Sequence, residues 1–425
     1  MKQEPLAASD KPRFFYGYTV LLAAFLIQVI GWGILNSTGI FFKPLQNDMG
    51  WSRAVISGGA SLNSLLIGSM SIVVGTLNDR LGPKIVMAAS GSVFGLSLLL
   101  ISRIGLPWQF YIGAAMMGAG GSALDVVLLS TIARWFIKRR GTYSGIAKAG
   151  SGVGMLIMPL VAGGLIVAYD WRIAIAALGC IALVGILPLA LLLKRDPAQV
   201  GQLPDGETRT TTSQDLTSRG LTLSRALHTR QFWTVCAVYL TIVFTAQTMM
   251  AHIALHATDL GVTTTVAASV VATIGAASIA GRFGMGSIGD RISYRKAMLV
   301  CFVVLAVALV WLQLASSLWM LYLFAVVYGF SHGGFFAVIS PLVAGLFGTR
   351  AHGTNLGIVI FSGMLGGAIG PLMAGFIFDA MSSYQLAFLI LLVVSLTGLV
   401  LAASIKPLTE EELAAAGAAA SSIKD

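Results

Sequence analysis

Charged residues are scarce in this sequence, and their scarcity excludes most classes of soluble protein. Only 10% of the 425 residues are charged and 56% are hydrophobic, and the mean hydropathy is +0.86. A soluble globular domain carries about 25% charged residues. We therefore expect a membrane protein.

Cysteines and catalytic groupings are also sparse. The three cysteines, Cys180, Cys236 and Cys301, lie in separate apolar stretches, so they indicate neither a disulfide framework nor a metal-ligand set. The sequence contains no recognisable pairing of a nucleophile with a base and no cluster of metal ligands. We expect neither an enzyme nor a bound cofactor.

What the sequence has instead is a series of long apolar runs. Runs of about 20 residues cross a bilayer as helices, and the fold class predicted here is an all-α polytopic membrane protein with twelve transmembrane helices. The predicted spans lie near residues 16–42, 54–78, 85–104, 108–133, 142–167, 172–193, 232–258, 263–288, 297–315, 318–346, 354–378 and 385–404.

A polar stretch divides these spans into six and six. Residues 194–230 are rich in Thr, Ser, Gln and charge, which is typical of a linker. We predict an N-terminal domain at 1–193, a cytoplasmic linker at 194–230, a C-terminal domain at 231–405 and a tail at 406–425.

The distribution of Lys and Arg predicts the orientation. An even number of spans puts both termini on one side, and 21 of the 27 Lys and Arg residues fall on that side, with four on the other and two inside spans. The excess of positive charge marks the cytoplasmic side. We therefore expect both termini in the cytoplasm, a location in the plasma or inner membrane, and a lipid bilayer rather than nucleic acid as the partner of the basic residues.

The two cations inside spans are Arg282 and Lys148. Arg282 stands eight residues before Asp290, about 12 Å from the polar turn and near the middle of a hydrocarbon layer about 30 Å thick. A guanidinium at that depth usually faces a water-filled cavity or a partner, and its planar fork pairs well with a carboxylate. The alternative is an arginine that binds backbone carbonyls between helices.

Lys148 has a candidate partner at the same depth. Lys148 lies eight residues beyond Arg140, and Asp125 lies nine residues before Arg134 on the preceding span. Because an isolated charge in hydrocarbon is costly, we predict an Asp125–Lys148 ion pair. Its role, structural or in proton coupling or substrate binding, stays open.

The histidines supply further candidates. His252, His256 and Asp259 share one face near the outer end of the seventh span, which predicts a proton acceptor, a cationic funnel or a solvated helix end. His332 lies among glycines in the tenth span and is a candidate hydrogen-bond partner of substrate. Phe335, Phe336 and Phe361 are candidates for enclosing the organic part of a small acid, or for simple packing.

One motif occurs in both halves. The first half has Gly75, Asp79, Arg80, Gly82 and Lys84 in the pattern G-x-x-x-D-R-x-G-x-K, and the second has Gly286, Asp290 and Arg291 with Ser293 in place of the second glycine. This motif resembles that of the major facilitator superfamily. The resemblance implies two six-helix bundles that open alternately to each side. It also implies that Asp79, Arg80, Asp290 and Arg291 form conformational latches, the alternative being snorkelling charges.

Three stretches carry a closer resemblance. They are residues 39–53 around the first outer loop, residues 134–150 after the fourth span, and Arg282-Phe283-Gly284. They resemble the monocarboxylate porter and oxalate/formate antiporter branch, and related organic-anion porters share parts of each. The resemblance implies that Arg282 binds a substrate carboxylate. Oxalate-type antiporters also have a lysine in the eleventh span, which is absent here and so favours a monocarboxylate.

Two departures concern proton coupling. Animal-type members of that branch have a lysine in the first span, where this chain has Asn36, and an aspartate one turn before the arginine, where it has Ser278. Asn36 is retained as a substrate-binding candidate. Proton coupling then falls to Asp125, Lys148, His252, His256 or Asp259.

The function predicted is uptake of a small monocarboxylate such as lactate or pyruvate by proton symport, with the small carboxylate and protons as partners of a monomeric carrier. The alternatives are exchange of organic anions, export of a carboxylated metabolite, either aliphatic or aromatic, and a carboxylate sensor without transport. No segment of the sequence has the composition of a soluble signalling domain, which favours a carrier over a sensor.

Overall fold

The computed structural model describes residues 14–206 and 221–406, and within these ranges it contains helices but no β-strand. Twelve helical segments of the described chain are long and apolar enough to cross a membrane, so the predicted fold class and count are confirmed. We number them span 1 to span 12: Gly17–Met49, Val55–Leu81, Pro83–Ile101, Pro107–Trp135, Arg140–Ala168, Trp171–Leu191, Arg230–Asp259, Val266–Ile292, Tyr294–Leu314, Leu318–Phe347, His352–Met381 and Gln385–Ser404.

Two spans are interrupted and two helices begin slightly earlier than these bounds. Span 1 consists of the helix Gly17–Ser37, a 3₁₀ turn Thr38–Phe41 and the helix Phe42–Met49. Span 4 divides at Ser122 into Pro107–Gly121 and Ala123–Trp135. The helix of span 2 begins at Arg53 and that of span 8 at Thr264. A short helix, Leu223–Leu227, precedes span 7.

The helix ends follow local sequence signals. Pro83 and Pro107 occupy the first turn of spans 3 and 4, where a missing N–H removes no helical hydrogen bond. Asp170 accepts a hydrogen bond from Ile173 N at 2.7 Å and caps span 6. Spans 2 and 3 are joined at Gly82, where φ is 86°, a conformation that favours glycine.

The corresponding joint of the second half lacks that glycine. Ser293 connects spans 8 and 9 with φ of 96°. A serine side chain is strained in this conformation because its Cβ crowds the backbone. The missing glycine of the repeated motif is therefore replaced without a change in backbone geometry.

Each half has its own hydrophobic core. Buried side chains of spans 1 to 6 form one cluster, and those of spans 7 to 12 form the other, joined by Val126 and Leu129 of span 4. Large apolar side chains such as Val167, Val184 and Phe376 are more than 70% exposed on the outer surface, as expected for helices that contact lipid. Linker residues 194–206 bind the first half, since Asp205 accepts hydrogen bonds from Ile137 N and Lys138 N, whereas Leu221 donates its N–H to the carbonyl of Phe347 in the second half.

The two halves approach each other backbone to backbone along span 2 with span 11 and span 5 with span 8. A Cβ placed on Gly75 would lie 2.2 Å from the carbonyl oxygen of Gly353, and one on Gly141 would lie 2.4 Å from that of Gly286. Only glycine fits at such distances. Both contacts lie toward the side of the molecule that carries the linker, which we call the linker side and which the charge distribution predicts to be cytoplasmic.

Candidate functional site

A cavity of about 670 Å³ lies between the two halves. Both halves line it, and its walls extend from mid-membrane residues to the span ends opposite the linker, such as Leu45, Ile101 and Phe110. Its charged lining residues, within the described chain, are Asp125, Lys148 and Arg282. Sequence reasoning singled out all three.

Arg282 lies at the wall contributed by span 8 and is 5% exposed. Its Nη1 donates a hydrogen bond of 2.7 Å to Ser278 Oγ, one turn earlier on the same helix. Its Nε has no hydrogen-bond partner among the described residues, and no carboxylate of that part of the chain lies within ion-pair distance. No hydrogen bond of Nη2 is found in the described chain, and Nη2 is not among the fully buried atoms, so it remains a donor for an anion from the cavity.

The predicted pair of Asp125 and Lys148 is present. Lys148 Nζ lies 2.5 Å from Asp125 Oδ1, and both side chains are buried. The same oxygen accepts hydrogen bonds of 3.0 Å from Gln28 Nε2 and Trp32 Nε1 on span 1. Spans 1, 4 and 5 thus hold one carboxylate oxygen at the cavity wall.

Aromatic rings surround the ammonium group. Lys148 Nζ lies 4.6 Å from the centre of the Trp32 ring and 5.6 Å from that of Phe336, within the range of cation–π attraction. His332 packs edge-on against Phe336 at 5.1 Å between ring centres and also lines the cavity. Its Nδ1 has no partner in the described structure.

Asn36 lines the cavity closer to the open side. Its Nδ2 donates a hydrogen bond of 2.7 Å to the carbonyl of Trp32, one turn earlier. The side-chain oxygen of Asn36 is left to face the cavity. Asn36, His332 and Phe336 therefore line the same cavity as the three charged residues.

Phe335 and Phe361 do not line the cavity. Phe335 is 2% exposed and packs on Phe302 at 4.7 Å between ring centres, inside the second core. The next residue, Phe336, points about 100° away from Phe335 and lines the cavity. Phe361 lies against Gly68 of span 2, where its ring would touch an added Cβ at 3.5 Å.

His252 also lies outside the cavity lining. Its Nε2 is 3.0 Å from the carbonyl of Pro371 and its Nδ1 is 3.2 Å from the hydroxyl of Tyr384. Burial raises the pKa of Tyr384, and the carboxylates of Asp259 and Asp379 raise it further, so this hydroxyl is a donor at neutral pH. His252 therefore connects span 7 to spans 11 and 12.

The remaining residues of that predicted face are no closer to the cavity. His256 packs edge-on against the rings of Tyr384 and Phe388, and Asp259 is exposed at the end of the span. The prediction that these residues share a helical face is compatible with these contacts. That face packs on span 12 instead of forming a funnel into the cavity.

On the linker side, Asp79 of span 2 binds the first turn of span 11. Its Oδ1 accepts from Gly353 N at 3.1 Å, and its Oδ2 accepts from Thr354 N at 2.8 Å and Thr354 Oγ1 at 2.9 Å. The buried Arg134 donates to Oδ1 at 2.7 Å. We call Asp79, Gly353, Thr354 and Arg134 the first cap, because a carboxylate at a helix N-terminus satisfies free N–H groups.

Asp290 of span 8 repeats this arrangement at the first turn of span 5. Its Oδ1 accepts from Gly141 N at 2.7 Å, and its Oδ2 accepts from Thr142 N at 2.8 Å and Thr142 Oγ1 at 2.7 Å. Tyr294 donates its hydroxyl to Oδ1 at 2.8 Å. Asp290, Gly141, Thr142 and Tyr294 form the second cap.

The arginines of the repeated motif take no part in either cap. Arg80 and Arg291 are exposed, and no hydrogen bond or ion pair of either side chain is found within residues 14–206 and 221–406. Each follows its aspartate directly and so points about 100° away from it. The basic partner of Asp79 is Arg134, which sequence reasoning did not assign to a latch.

Comparison with known proteins identifies the family. The family model described as Major Facilitator Superfamily matches residues 20–283 and 247–424. The chain belongs to the major facilitator superfamily. It is accordingly a membrane transporter and not an enzyme, as predicted.

Relatives within the major facilitator superfamily are distant. "MFS-type transporter 1" of Ophiocordyceps sp. (strain BCC 1869) is 27% identical over 351 residues, or 81% of this chain and 74% of that protein. "Monocarboxylate transporter 13" of Rattus norvegicus is 26% identical over 390 residues, or 90% of this chain and 87% of the relative. The resemblance to monocarboxylate transporters is thus supported.

A solved structure supports the fold. The fucose:proton symporter FucP of E. coli superposes with a TM-score of 0.70 at 16% identity, covering 92% of this chain and 100% of that one. At this identity the likeness concerns the fold alone.

Sequence reasoning missed several contacts for which a signal existed. The pair Gly141-Thr142 recurs as Gly353-Thr354, 212 residues later, while Asp79 recurs as Asp290 after 211. This matched repeat indicated that each half combines the aspartate with a Gly-Thr pair. Gln28 and Trp32 carried no such signal, although they lie at i and i+4 in an apolar span.

Proposed function

We propose that this protein is a secondary active transporter for a small monocarboxylate of the lactate or pyruvate type, coupled to protons and operating by alternating access. The observation that carries the proposal is the guanidinium of Arg282. It lies buried in a cavity between the halves and has no carboxylate partner within the described chain. A carboxylate entering the cavity would supply that partner.

Charge counting supports a monoanion. The described cavity lining contributes one carboxylate, Asp125, and two cations, Lys148 and Arg282. With Asp125 paired to Lys148 at 2.5 Å, one positive charge remains. While Asp125 stays ionised, a single carboxylate pairs with Arg282, whereas the second carboxylate of a dicarboxylate would find no free cation in a site of low dielectric.

The two sides of the molecule support alternating access. The cavity opens opposite the linker, while the first and second caps join the two halves on the linker side. With both termini in the cytoplasm of a plasma or inner membrane, as we propose, this arrangement would be that of an outward-facing carrier. Release of both caps would allow the halves to part on the linker side.

The test is uptake of labelled lactate into proteoliposomes under an inward proton gradient. We expect the native protein to accumulate lactate, Arg282→Ala to lose at least about 100-fold of the rate, as for loss of a buried charged partner, and Arg282→Lys to recover only part of it. Arg291→Ala, which removes an exposed arginine with no hydrogen bond or ion pair to another described residue, is the matched control and should transport normally. Equal rates for native protein and Arg282→Ala would refute the carboxylate role.

A second candidate is exchange or export of a larger organic anion. The cavity volume of about 670 Å³ and its aromatic and methionine side chains, including Tyr239, Met250 and Met364, leave room for more than a three-carbon acid. A series of labelled acids of increasing size, tested with and without preloaded anion, separates the two. Preference for aromatic acids and dependence on preloading would favour the exchanger.

A further inference from the structure

We propose that Asp125 carries the proton of the transport cycle, and that its protonation releases Lys148 to bind the substrate carboxylate together with Arg282. This inference rests on the proposed function and assigns the coupling group within it. The geometry of the cavity wall supports the assignment.

Among the candidates for proton coupling, Asp125 is the carboxylate that lines the described cavity. Asp259 is exposed at the end of span 7, and His252, which is not among the lining residues, is held by the carbonyl of Pro371 and the hydroxyl of Tyr384. A coupling group has to exchange protons with the same water that brings the substrate. Asp125 meets this requirement.

The two oxygens of Asp125 have different environments. Oδ1 accepts from Lys148, Gln28 and Trp32. No donor to Oδ2 is found in the described part of the chain, and this atom is not among the fully buried polar atoms without a partner. A proton from cavity water can therefore bind at Oδ2 while Gln28 and Trp32 continue to hold Oδ1.

Lys148 and Arg282 lie close enough to share one carboxylate. A Cβ on Gly152 would be 2.6 Å from Arg282 Nη1, so the guanidinium rests on the backbone of span 5 at that residue. Gly152 is one helical turn, about 6 Å, from Lys148 on the same face. A carboxylate between these positions reaches both cations.

The other titratable groups around Asp125 lie on four spans, and all of them line the same cavity. Span 5 contributes Lys148, span 8 contributes Arg282, span 10 contributes His332 and span 7 contributes the hydroxyl of Tyr239, all lining the cavity. Span 1 contributes only the neutral Gln28 and Trp32. Among these groups Asp125 is the one that is ion-paired with Lys148, so it is the group whose protonation would free Lys148.

The charges balance through the cycle. The empty cavity has one negative group, Asp125, and two positive groups, Lys148 and Arg282, for a net charge of +1. In the loaded cavity a proton from outside has neutralised Asp125 and the substrate carboxylate has replaced it beside Lys148, so the net charge is again +1. On the other side of the membrane the proton leaves Oδ2 for water, the ion pair of Asp125 with Lys148 re-forms, and the anion departs. Each cycle therefore moves one proton together with one monoanion and transfers no net charge.

The experiment compares Asp125→Asn with the native protein in proteoliposomes under two regimes. One is uptake driven by a proton gradient and the other is exchange of labelled for unlabelled lactate at equal pH. Asparagine mimics the protonated, neutral aspartate, so the carrier can reorient with substrate bound. Without substrate, Lys148 has no partner, and reorientation of the empty carrier is disfavoured. We expect gradient-driven uptake to fall about 100-fold or more, as for a buried charge deprived of its partner, and exchange to persist.

Controls separate coupling from folding. Asp259→Asn removes a carboxylate outside the cavity and should keep gradient-driven uptake. If Asp125→Asn does not fold, Asp125→Asn with Lys148→Met removes both charges together, a change that buried pairs tolerate better than loss of one partner; this variant should bind lactate more weakly and show no stimulation by a proton gradient.

The outcomes are distinguishable from failure of the proposed function. If the native protein moves no carboxylate, the proposed function fails. If the native protein transports and either Asp125 variant retains gradient-driven uptake, or Asp259→Asn loses it, the assignment of Asp125 is overturned while the proposed function stands.

Discussion

The first and second caps share a carboxylate geometry and differ in the group that completes it. In each, an aspartate accepts two backbone N–H groups and a threonine hydroxyl from the other half. The first cap adds the charged and buried Arg134 at 2.7 Å, whereas the second adds the neutral hydroxyl of Tyr294 at 2.8 Å.

The difference has an energetic consequence. An ion pair with both members buried is costly to leave half-formed, because the remaining charge loses its partner without regaining water. A neutral donor leaves a smaller deficit. We therefore expect the first cap to hold the linker side closed more strongly than the second, and the experiments below test this asymmetry.

The largest effect is expected for Arg134→Ala, which leaves Asp79 with its helix contacts but without its cation. Arg134 and Asp79 belong to the same half, and Arg134 Nη2 reaches the second half at the carbonyl of Thr349, 3.5 Å away. Loss of one partner of a buried pair costs about 3–5 kcal/mol, and the part of this cost that differs between the closed and open states shifts the population. Spin labels at Lys84→Cys and Lys296→Cys, exposed positions at the starts of spans 3 and 9, should report a longer distance on the linker side. An unchanged distance distribution would mean that the ion pair does not hold the closed state.

A smaller shift is expected for Asp290→Ala in the second cap. Hydrogen bonds to charged groups contribute about 1.5–3 kcal/mol each and are not additive, and no buried cation is left unpaired. The same spin-label pair should show a partial shift, smaller than that of Asp79→Ala, its counterpart in the first cap. A larger shift for Asp290→Ala would reverse the proposed order.

Substitution of Ser293 by glycine sharpens the comparison at the neighbouring joint. Ser293 has φ of 96° where the first half has Gly82 at 86°, so Ser293→Gly relieves strain of about 1–2 kcal/mol. Thermal unfolding in detergent should occur at a higher temperature. Gly82→Ser is the matched reverse change and should lower the unfolding temperature. If Ser293→Gly lowered that temperature and Gly82→Ser raised it, the serine would be accommodated without strain.

The smallest effect is expected for Arg80→Ala and Arg291→Ala. Both side chains are exposed, and an exposed charge contributes about 0–1 kcal/mol. Neither variant should change the linker-side distance or the uptake rate measurably. A shift as large as that of Asp290→Ala would restore these arginines to the latch that the repeated motif predicts.

Features that depend on length and depth along a helix were predictable from the sequence. Apolar runs predicted twelve spans, and equal distances from polar ends predicted the contact between Asp125 and Lys148. Both predictions need only the position of a residue along the helix axis, which follows from the rise of about 1.5 Å per residue. They also use one large energetic effect, the cost of an isolated charge in hydrocarbon.

Features that depend on helix rotation and on neighbouring helices were not predictable. His252 shares a face with His256, yet only tertiary packing decides that this face meets Tyr384 instead of the cavity. Phe335 and Phe336 are adjacent residues of the same type. The rotation of span 10 about its axis decides that Phe335 packs in the core and Phe336 lines the cavity. The contact of Arg134 with Asp79 could not be predicted without knowing that the end of span 4 lies beside span 2.

The reciprocal arrangement of the caps has a consequence for the origin of the chain. Each half provides the carboxylate that the other half's helix requires, so the contact from span 2 to span 11 repeats as the contact from span 8 to span 5. This is the pattern of an isologous dimer, in which one surface patch meets its own copy across a two-fold axis. An ancestor with the length of one half would have satisfied both helix termini by pairing with a second copy of itself, and fusion of the two copies then freed each cap to diverge separately.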